Sequence, residues 1–460
     1  MFGGKRCRFV LRKNAERKKK MKPKTKDIIT CGFALFAIFF GAGNLIFPPH
    51  LGVLAGNRWY EAMIGFLLTD PVLPILGVIV TIGLGGRADD LGKRVSPKFA
   101  KLLGTIAILT IGPFFAVPRT GATTHEIFVE PMFGNVPILL TSLIFFGITL
   151  WVAINPNSVI DYIGNILTPA LLVILAVIVG MSIINPPDPM VSTDATGLFV
   201  YGFKEGYQTM DALGAALMAG IVISDLVRRG YTDEKEQIEA GRKIGIVAFV
   251  LLALVYGGLT YAGATVGGHF NADTPRTDLL IGMTQLMLGN IGKAIMGLAV
   301  ALACLTTSTG LISTCGNYFE TITDGKLKYK NIVIVATTVA FLLSLLGVER
   351  LITIAVPILT AIYPVIIVLI FMSVFDKKIK YDWTYRGAVI GAFSVSLTEG
   401  INLFSVMRGG NALGSLMSII KTFPLDDYGF NWFVPAVVCS VVFTLISRHV
   451  QKSRIIHDTI

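Results

Sequence analysis

The sequence predicts an all-α polytopic membrane protein with twelve transmembrane helices. Of 460 residues, 53% are hydrophobic and only 15% charged, whereas a soluble domain carries about 25% charge. Apolar runs near the roughly 20 residues that a spanning helix needs recur from end to end, and the mean hydropathy is +0.70. Gly (48) and Pro (20) are both frequent. They would ruin soluble helices but are tolerated in membrane ones, where neighbouring helices satisfy the freed backbone groups. That composition argues against a water-soluble enzyme.

Taken in order, the expected spans are 28–54, 58–84, 99–118, 136–154, 159–184, 198–226, 243–267, 291–317, 331–348, 351–375, 386–404 and 432–447. The first follows a basic leader, as a signal peptide would. It lacks an A-x-A-like cleavage site and far exceeds the roughly 7–15-residue core of a signal peptide, so it reads as retained. The sixth opens on a poorly apolar stretch. Residues 1–27 form a basic N-terminal segment, and 448–460 a tail. Met21 stands just before KPKTKD. Residues 1–20 read either as an extension upstream of a true start at Met21 or as a basic tail on the inner membrane face.

Lys and Arg bias sets the orientation. With the N-terminus inside, inner segments hold 32 Lys and Arg residues and outer segments seven, Arg119 and Arg276 among the latter. Both termini are then cytoplasmic. Trp59, Trp151, Trp383 and Trp432 fall near span ends, as an aromatic belt requires. The net charge of +11 sits largely in the leader and short loops. Without an aromatic-interleaved basic surface, nucleic acid is not an expected partner. The lipid bilayer is. The five cysteines show no metal spacing and mostly lie in apolar runs, against a disulfide framework.

Several motifs carry no chemistry. Gly83-Leu-Gly85-Gly86-Arg87-Ala88 matches a loose dinucleotide pattern, but it follows a membrane span and no βαβ unit surrounds it. There is no nucleotide-binding G-x-x-x-x-G-K-[ST] run and no H-E-x-x-H, and the histidines lack ligand spacing. No nucleophile–base or metal constellation can be assembled, so no enzyme is expected. A channel would need repeated rings of carbonyls or charges, and no filter-like repeat appears.

Two spans look broken. The first contains Gly41-Ala42-Gly43-Asn44 followed by Pro48-Pro49, and the sixth Glu205-Gly206-Tyr207-Gln208-Thr209-Met210-Asp211 with Gly214. Backbone left unpaired in hydrocarbon costs several kcal/mol per group, roughly, so such breaks survive only in a cavity or buried in protein. The breaks fall in spans one and six, five helices apart, so two five-helix units, 28–184 and 198–375, would be mutually inverted. Inverted units with discontinuous helices in matching positions describe a secondary transporter. Opposed half-helix ends suit a zwitterion: N–H groups take a carboxylate, carbonyls take a cation.

The runs ALFAIFFGAGNLIFPP (Ala34 to Pro49) and EGYQTMDALGA (Glu205 to Ala215) resemble the branched-chain amino acid carriers of the BrnQ type, the bacterial leucine/isoleucine/valine cation symporters. The resemblance extends from about Met21 through the Cys304-to-Gly310 run. It implies cation-driven uptake of Leu, Ile and Val across the bacterial cell membrane, with no cofactor beyond the coupling cation. It also implies a LeuT-like five-plus-five inverted fold, with 386–447 forming two helices outside the repeat. The alternative is a proton-coupled carrier or an antiporter of other neutral amino acids on the same fold. Asp70, Asp161, Asp211, Asp225 and Glu399 are the ionisable groups that could relay protons.

The expected substrate site comprises Gly41, Ala42, Gly43, Asn44, Met210, Asp211 and Gly214, with Phe115, beside Phe114, as an apolar wall. Asp211 can face the ammonium, the cation or a freed N–H. A sodium site is expected between the first break and the middle of the eighth span, where Thr306, Thr307 and Ser308 give three consecutive hydroxyls. Hard cations prefer oxygen ligands. Gly41 and Asn44 supply carbonyls from the break. The resemblance adds the Ala303 carbonyl with Thr306 and Thr307; a register of Cys304, Thr307 and Ser308 stays open. Thr277 to Leu288 reads as a lid between the seventh and eighth spans.

Overall fold

A computed structural model describes residues 24–86, 90–154 and 159–457, and the described residues contain helices and no strand. The proposed start at Met21 lies outside them, as do Arg87 and Ala88 of the loose dinucleotide match and the side chain of Asp161. The first third of the chain forms α1 (Thr25–Phe39), α2 (Ala42–Ala55), α3 (Trp59–Leu67), α4 (Leu73–Leu84), α5 (Pro97–Leu109), α6 (Ala116–Thr124), α7 (Glu130–Phe133) and α8 (Ile138–Ile154). There follow α9 (Val159–Ile184), α10 (Leu198–Glu205), α11 (Asp211–Arg228), α12 (Glu234–Ala264) and α13 (Arg276–Ile322). The rest comprises α14 (Tyr329–Ser344), α15 (Val348–Val374), α16 (Asp382–Met407), α17 (Gly414–Ile420) and α18 (Phe433–His457).

Among the described residues, seven helical runs are long and apolar enough to cross a membrane; an eighth is the pair Leu198–Thr209 and Asp211–Arg228, bent by 48°. α8, α14 and the stretch Leu172–Ile184 of α9 are apolar but shorter. Leu139, Leu143, Ile144 and Trp151 on α8, and Val438, Val441 and Leu445 on α18, stand exposed. Such continuous apolar faces suit lipid rather than water. Phe36, Phe47, Phe66, Tyr256 and Tyr363 are fully buried at the centre.

The long runs are interrupted where the sequence forces it. Asp70, before Pro71, is extended (φ −145°, ψ 112°) between α3 and α4, as the proline ring demands of its predecessor. Gly112, before Pro113, leaves helical geometry between α5 and α6. Gly289 kinks α13 at φ 67°, a conformation that glycine adopts freely. Close packing also relies on glycine. A Cβ on Gly52 of α2 would stand 2.6 Å from the Ala264 nitrogen, and one on Gly263 of α12 2.7 Å from the Pro49 carbonyl carbon. α2 and α12 therefore touch backbone to backbone, the small-residue contact by which membrane helices gain van der Waals packing.

One expectation needs correction. The third span does not end at 118: the helical run continues from Pro97 to Phe133. Arg119, counted above as an outer-loop charge, lies inside that run and is only 4% exposed. Pro118-Arg119 looked like a span end, but the proline sits in the first turn of α6, where its missing N–H leaves no gap.

Candidate functional site

The first break forms because Phe40 (ψ 81°) and Gly41 (φ −101°, ψ −178°) leave the helix, which restarts at Ala42 with no side chain capping its N-terminus. The second forms at Met210, a non-glycine residue in the left-handed region (φ 65°, ψ 8°) between a short 3-10 turn and α11. A side chain in that region is strained, and such strain persists where surrounding structure holds it. The two half-helices α2 and α11 thus begin in the middle of the bundle.

Asn44 joins them. Its Nδ2 donates to Asp211 Oδ2 at 2.7 Å and to Asp70 Oδ2 at 3.0 Å, and lies 2.7 Å from the Tyr256 hydroxyl. An amide nitrogen has two hydrogens, so it serves two of these three oxygens at a time. Asp70 is fully buried, and its Oδ1 has no hydrogen-bond partner. Arg119 sits nearby. Its Nη1 donates to the Gln208 carbonyl at 2.7 Å, and its guanidinium lies over the Phe47 ring at 5.3 Å. It packs directly on Gly43, where a Cβ would meet Cζ at 2.9 Å and Nη2 closer still.

The middle of α13 faces the first break: a Cβ on Gly41 would lie 3.8 Å from Thr307 Oγ1. Thr306 Oγ1 donates to the Ala303 carbonyl at 2.8 Å, and Ser308 lies 3.3 Å from Thr149 Oγ1. A cavity of about 1220 Å³ connects Gly41, Gly43, Asn44, Arg119, Thr209, Met210, Asp211, Gly214, Thr306 and Thr307. Ala303 and Ser308 do not line it, and Phe115 with Phe114 lines a separate apolar pocket of about 370 Å³. The apolar walls of the 1220 Å³ cavity include Ile111, Ala116 and Met218 instead. The side chain of Ala42 is outside the described set. Among the described residues, no three His, Cys, Asp or Glu side chains group as a metal site.

The cavity runs out towards the start of α1 and the end of α11, past Cys31, Asp225, Arg228 and Arg229. There Asp225 accepts from Arg228 at 2.6 Å, Arg229 at 2.9 Å and the Cys31 thiol at 3.1 Å. The opposite end is closed. Arg276, at the start of α13, pairs with Glu205 of α10 at 2.7 Å and Glu349 of α15 at 2.8 Å. Its guanidinium also lies over the Phe47 ring, at 5.6 Å from the centroid. Thr277 and the Val348 N–H both donate to Glu126, at 2.8 and 2.9 Å. The segment 277–288 is thereby pinned across this end, with Leu279, Leu280 and Met283 fully buried.

The cavity also includes Arg119, and Asp70 stands behind it through Asn44; neither was among the expected substrate-site residues. The signal for Asp70 was the Asp-Pro pair inside an apolar run; for Arg119 it was an arginine with no acid within five residues.

The fold is similar to the inward-facing conformation of Mhp1, with a TM-score of 0.60 at 13% identity over 93% of this chain and 91% of that one. It is also similar to MhsT in complex with L-phenylalanine, with a TM-score of 0.51 at 16% identity over 93% and 99%. By sequence, the chain is 36% identical to the branched-chain amino acid permease BraB of Bacillus subtilis, over 94% of this chain and 98% of that one. It is 33% identical to the branched-chain amino acid transport system 2 carrier protein of Pseudomonas aeruginosa, over 93% and 98%. The family described as branched-chain amino acid transport protein matches residues 24–450. This multi-pass membrane protein therefore belongs to the branched-chain amino acid transport family, whose named relatives are permeases and carriers, not enzymes.

Proposed function

We propose that the protein imports Leu, Ile and Val across the bacterial cell membrane by symport with a cation, sodium being the coupling ion. The observation that carries this reading is the meeting of two interrupted helices, joined by the Asn44–Asp211 bond at 2.7 Å, with the Thr307 hydroxyl beside Gly41 in one cavity. Half-helix N-termini suit a carboxylate and released carbonyls suit a hard cation. In this reading the chain spans the membrane twelve times. Units 28–184 and 198–375 form a five-plus-five inverted repeat, with α16 and α18 outside it. Both termini are cytoplasmic, so the cavity opens inward and the Arg276 cluster closes the outer side.

Sodium takes Gly41 and Asn44 from the break, and Thr306 and Thr307 from α13, with Ala303 and Ser308 as the remaining candidates of the two registers. Substrate occupies the cavity against Gly41, Ala42, Gly43, Asn44, Met210, Asp211 and Gly214. Its branched side chain meets Ile111 and Met218. A pocket that senses one methylene discriminates by only about 1–3 kcal/mol, which fits a carrier shared by three aliphatic amino acids. Proton coupling is the second reading, favoured by two carboxylates sharing one amide. Leucine uptake into proteoliposomes with imposed gradients tests both. A sodium gradient should drive accumulation at equal pH; accumulation driven by a proton gradient alone would transfer the coupling to Asp70 and Asp211. Competition by Ile and Val, with saturation, distinguishes the carrier from a channel.

A further inference from the structure

We propose that Arg119 is the carboxylate anchor of the substrate and that Asp211, on the same cavity, takes its ammonium. This rests on the branched-chain amino acid reading and adds the residues that recognise the substrate as an α-amino acid.

Four observations converge. First, Arg119 is 4% exposed at mid-bundle, yet among the described residues it forms no ion pair, and Asp211 acts on it only through space. A buried cation with no counter-charge in contact is costly. Second, it is held in place rather than loose: Nη1 is fixed on the Gln208 carbonyl and the guanidinium plane on Phe47. That leaves other donors of the fork for a ligand, in the planar geometry that matches a carboxylate. Third, it packs on Gly43 in the first turn of α2, an uncapped helix start, with the uncapped start of α11 joined to α2 through Asn44. Asp211 already stands in the first turn of α11, whereas the first turn of α2 holds no acid, so the α2 start and the guanidinium packed on it are where a ligand's anion is favoured. Fourth, Asp211 lines the same cavity without pairing with Arg119. The ligand that brings a negative charge to one and a positive charge to the other is a zwitterion.

The anchor does not depend on the aliphatic side chain, so it separates recognition of the amino acid head from selection among Leu, Ile and Val. Thermal unfolding of the purified protein in detergent, with added ligand, reads weak as well as tight binding. The probes are leucine, leucinol, which lacks the carboxylate, and 4-methylpentanoate, which lacks the ammonium. Wild type should prefer leucine to either analogue by at least about tenfold. Arg119→Gln keeps a donor for the Gln208 carbonyl and removes the charge. It should weaken leucine by about 10- to 100-fold and leave leucinol nearly unchanged, so that the preference for leucine over leucinol disappears. Arg119→Lys should recover part of the loss.

Leucine affinity within about threefold of wild type in Arg119→Gln would overturn the assignment. So would an equal loss for leucine and leucinol, the mark of a merely structural role. If Arg119→Gln does not fold, the wild-type series decides: leucinol binding as well as leucine refutes the anchor. Failure of the branched-chain reading looks different. Wild type would then respond to some other amino acid, whose matching amino alcohol tests Arg119 in the same way.

Discussion

Gly43→Ala should cost function while sparing the fold. The added methyl would lie 2.9 Å from Arg119 Cζ and closer to Nη2. Ordinary carbon contact is about 3.5–4.0 Å, so the guanidinium must withdraw by about 1 Å. Because the clash falls on the end of a flexible side chain and not on backbone, the protein yields cheaply. Gly43 is also inside a helix, where Ala is favoured over Gly by about 0.8–1.0 kcal/mol. Thermal stability should therefore fall by no more than about 2 kcal/mol, the helix gain offsetting part of the loss at Arg119. The Arg119–Gln208 bond is 2.7 Å long, and a retreat of about 1 Å stretches it beyond hydrogen-bond range. With Arg119 as the proposed carboxylate anchor, its displaced guanidinium also loses a charge-assisted bond to the substrate, about 1.5–3 kcal/mol, so leucine half-saturation should rise by roughly 10- to 100-fold. Leucine uptake kinetics in proteoliposomes, alongside thermal unfolding, separate the two effects. An unchanged half-saturation with full stability would show that the guanidinium position does not matter.

Three further outcomes follow from the same geometry. Thr307→Ala, which removes the hydroxyl beside Gly41, should raise the sodium concentration needed for half-maximal uptake by about tenfold, with a smaller effect at saturating sodium. Sodium titration of leucine uptake reads this directly, and an unmoved sodium dependence would discard the site. Asp211→Asn leaves shape intact but removes the charge from the cavity; leucine affinity should fall at least about tenfold, and normal affinity with normal coupling would contradict a functional Asp211. Arg276→Gln breaks both pairs that close the end opposite the cavity mouth. In a Met283→Cys background, labelling of that buried position should speed up by about tenfold. A labelling rate equal to that of the Arg276 parent would mean the cluster does not hold the segment shut.

Much of this molecule could be read from the chain alone, because the physics behind it is local. Apolar runs and their punctuation follow from residue type, and Gly41-Ala42-Gly43-Asn44 marks a break wherever it falls in a span. The hydroxyls of α13 stand out for the same reason. What escaped reading depends on rotation and on distant partners. The deformed backbone at Gly112 and Phe115 (φ −133°, ψ −58°) turns the helix face, so Phe115 meets a different pocket from Ile111 and Ala116. Arg119 was misplaced because counting basic residues treats every arginine as a loop charge; nothing in Val117-Pro118-Arg119-Thr120 reveals that Phe47 and Gln208, from two other spans, surround it. Ser308 likewise follows Thr306 and Thr307 in sequence but lies on another face, against Thr149.

The shared amide of Asn44 has an electrical consequence. Were Asp70 and Asp211 both ionised, two negative groups would stand against the single positive charge of Arg119 in a region of low permittivity, and either one shared proton or one monovalent cation would balance them. A zwitterionic substrate does not alter that balance. Under the cation symport proposed above, a carrier holding leucine alone would drag a net charge through the conformational change, while one holding leucine and a cation would not. Under that proposal electroneutrality would suppress slippage, with no mechanical interlock between the two ligands. In the same scheme the voltage-sensitive step is the return of the empty, negatively charged carrier. An inside-negative potential drives that return outward, by about 2.3 kcal/mol per charge for each 100 mV.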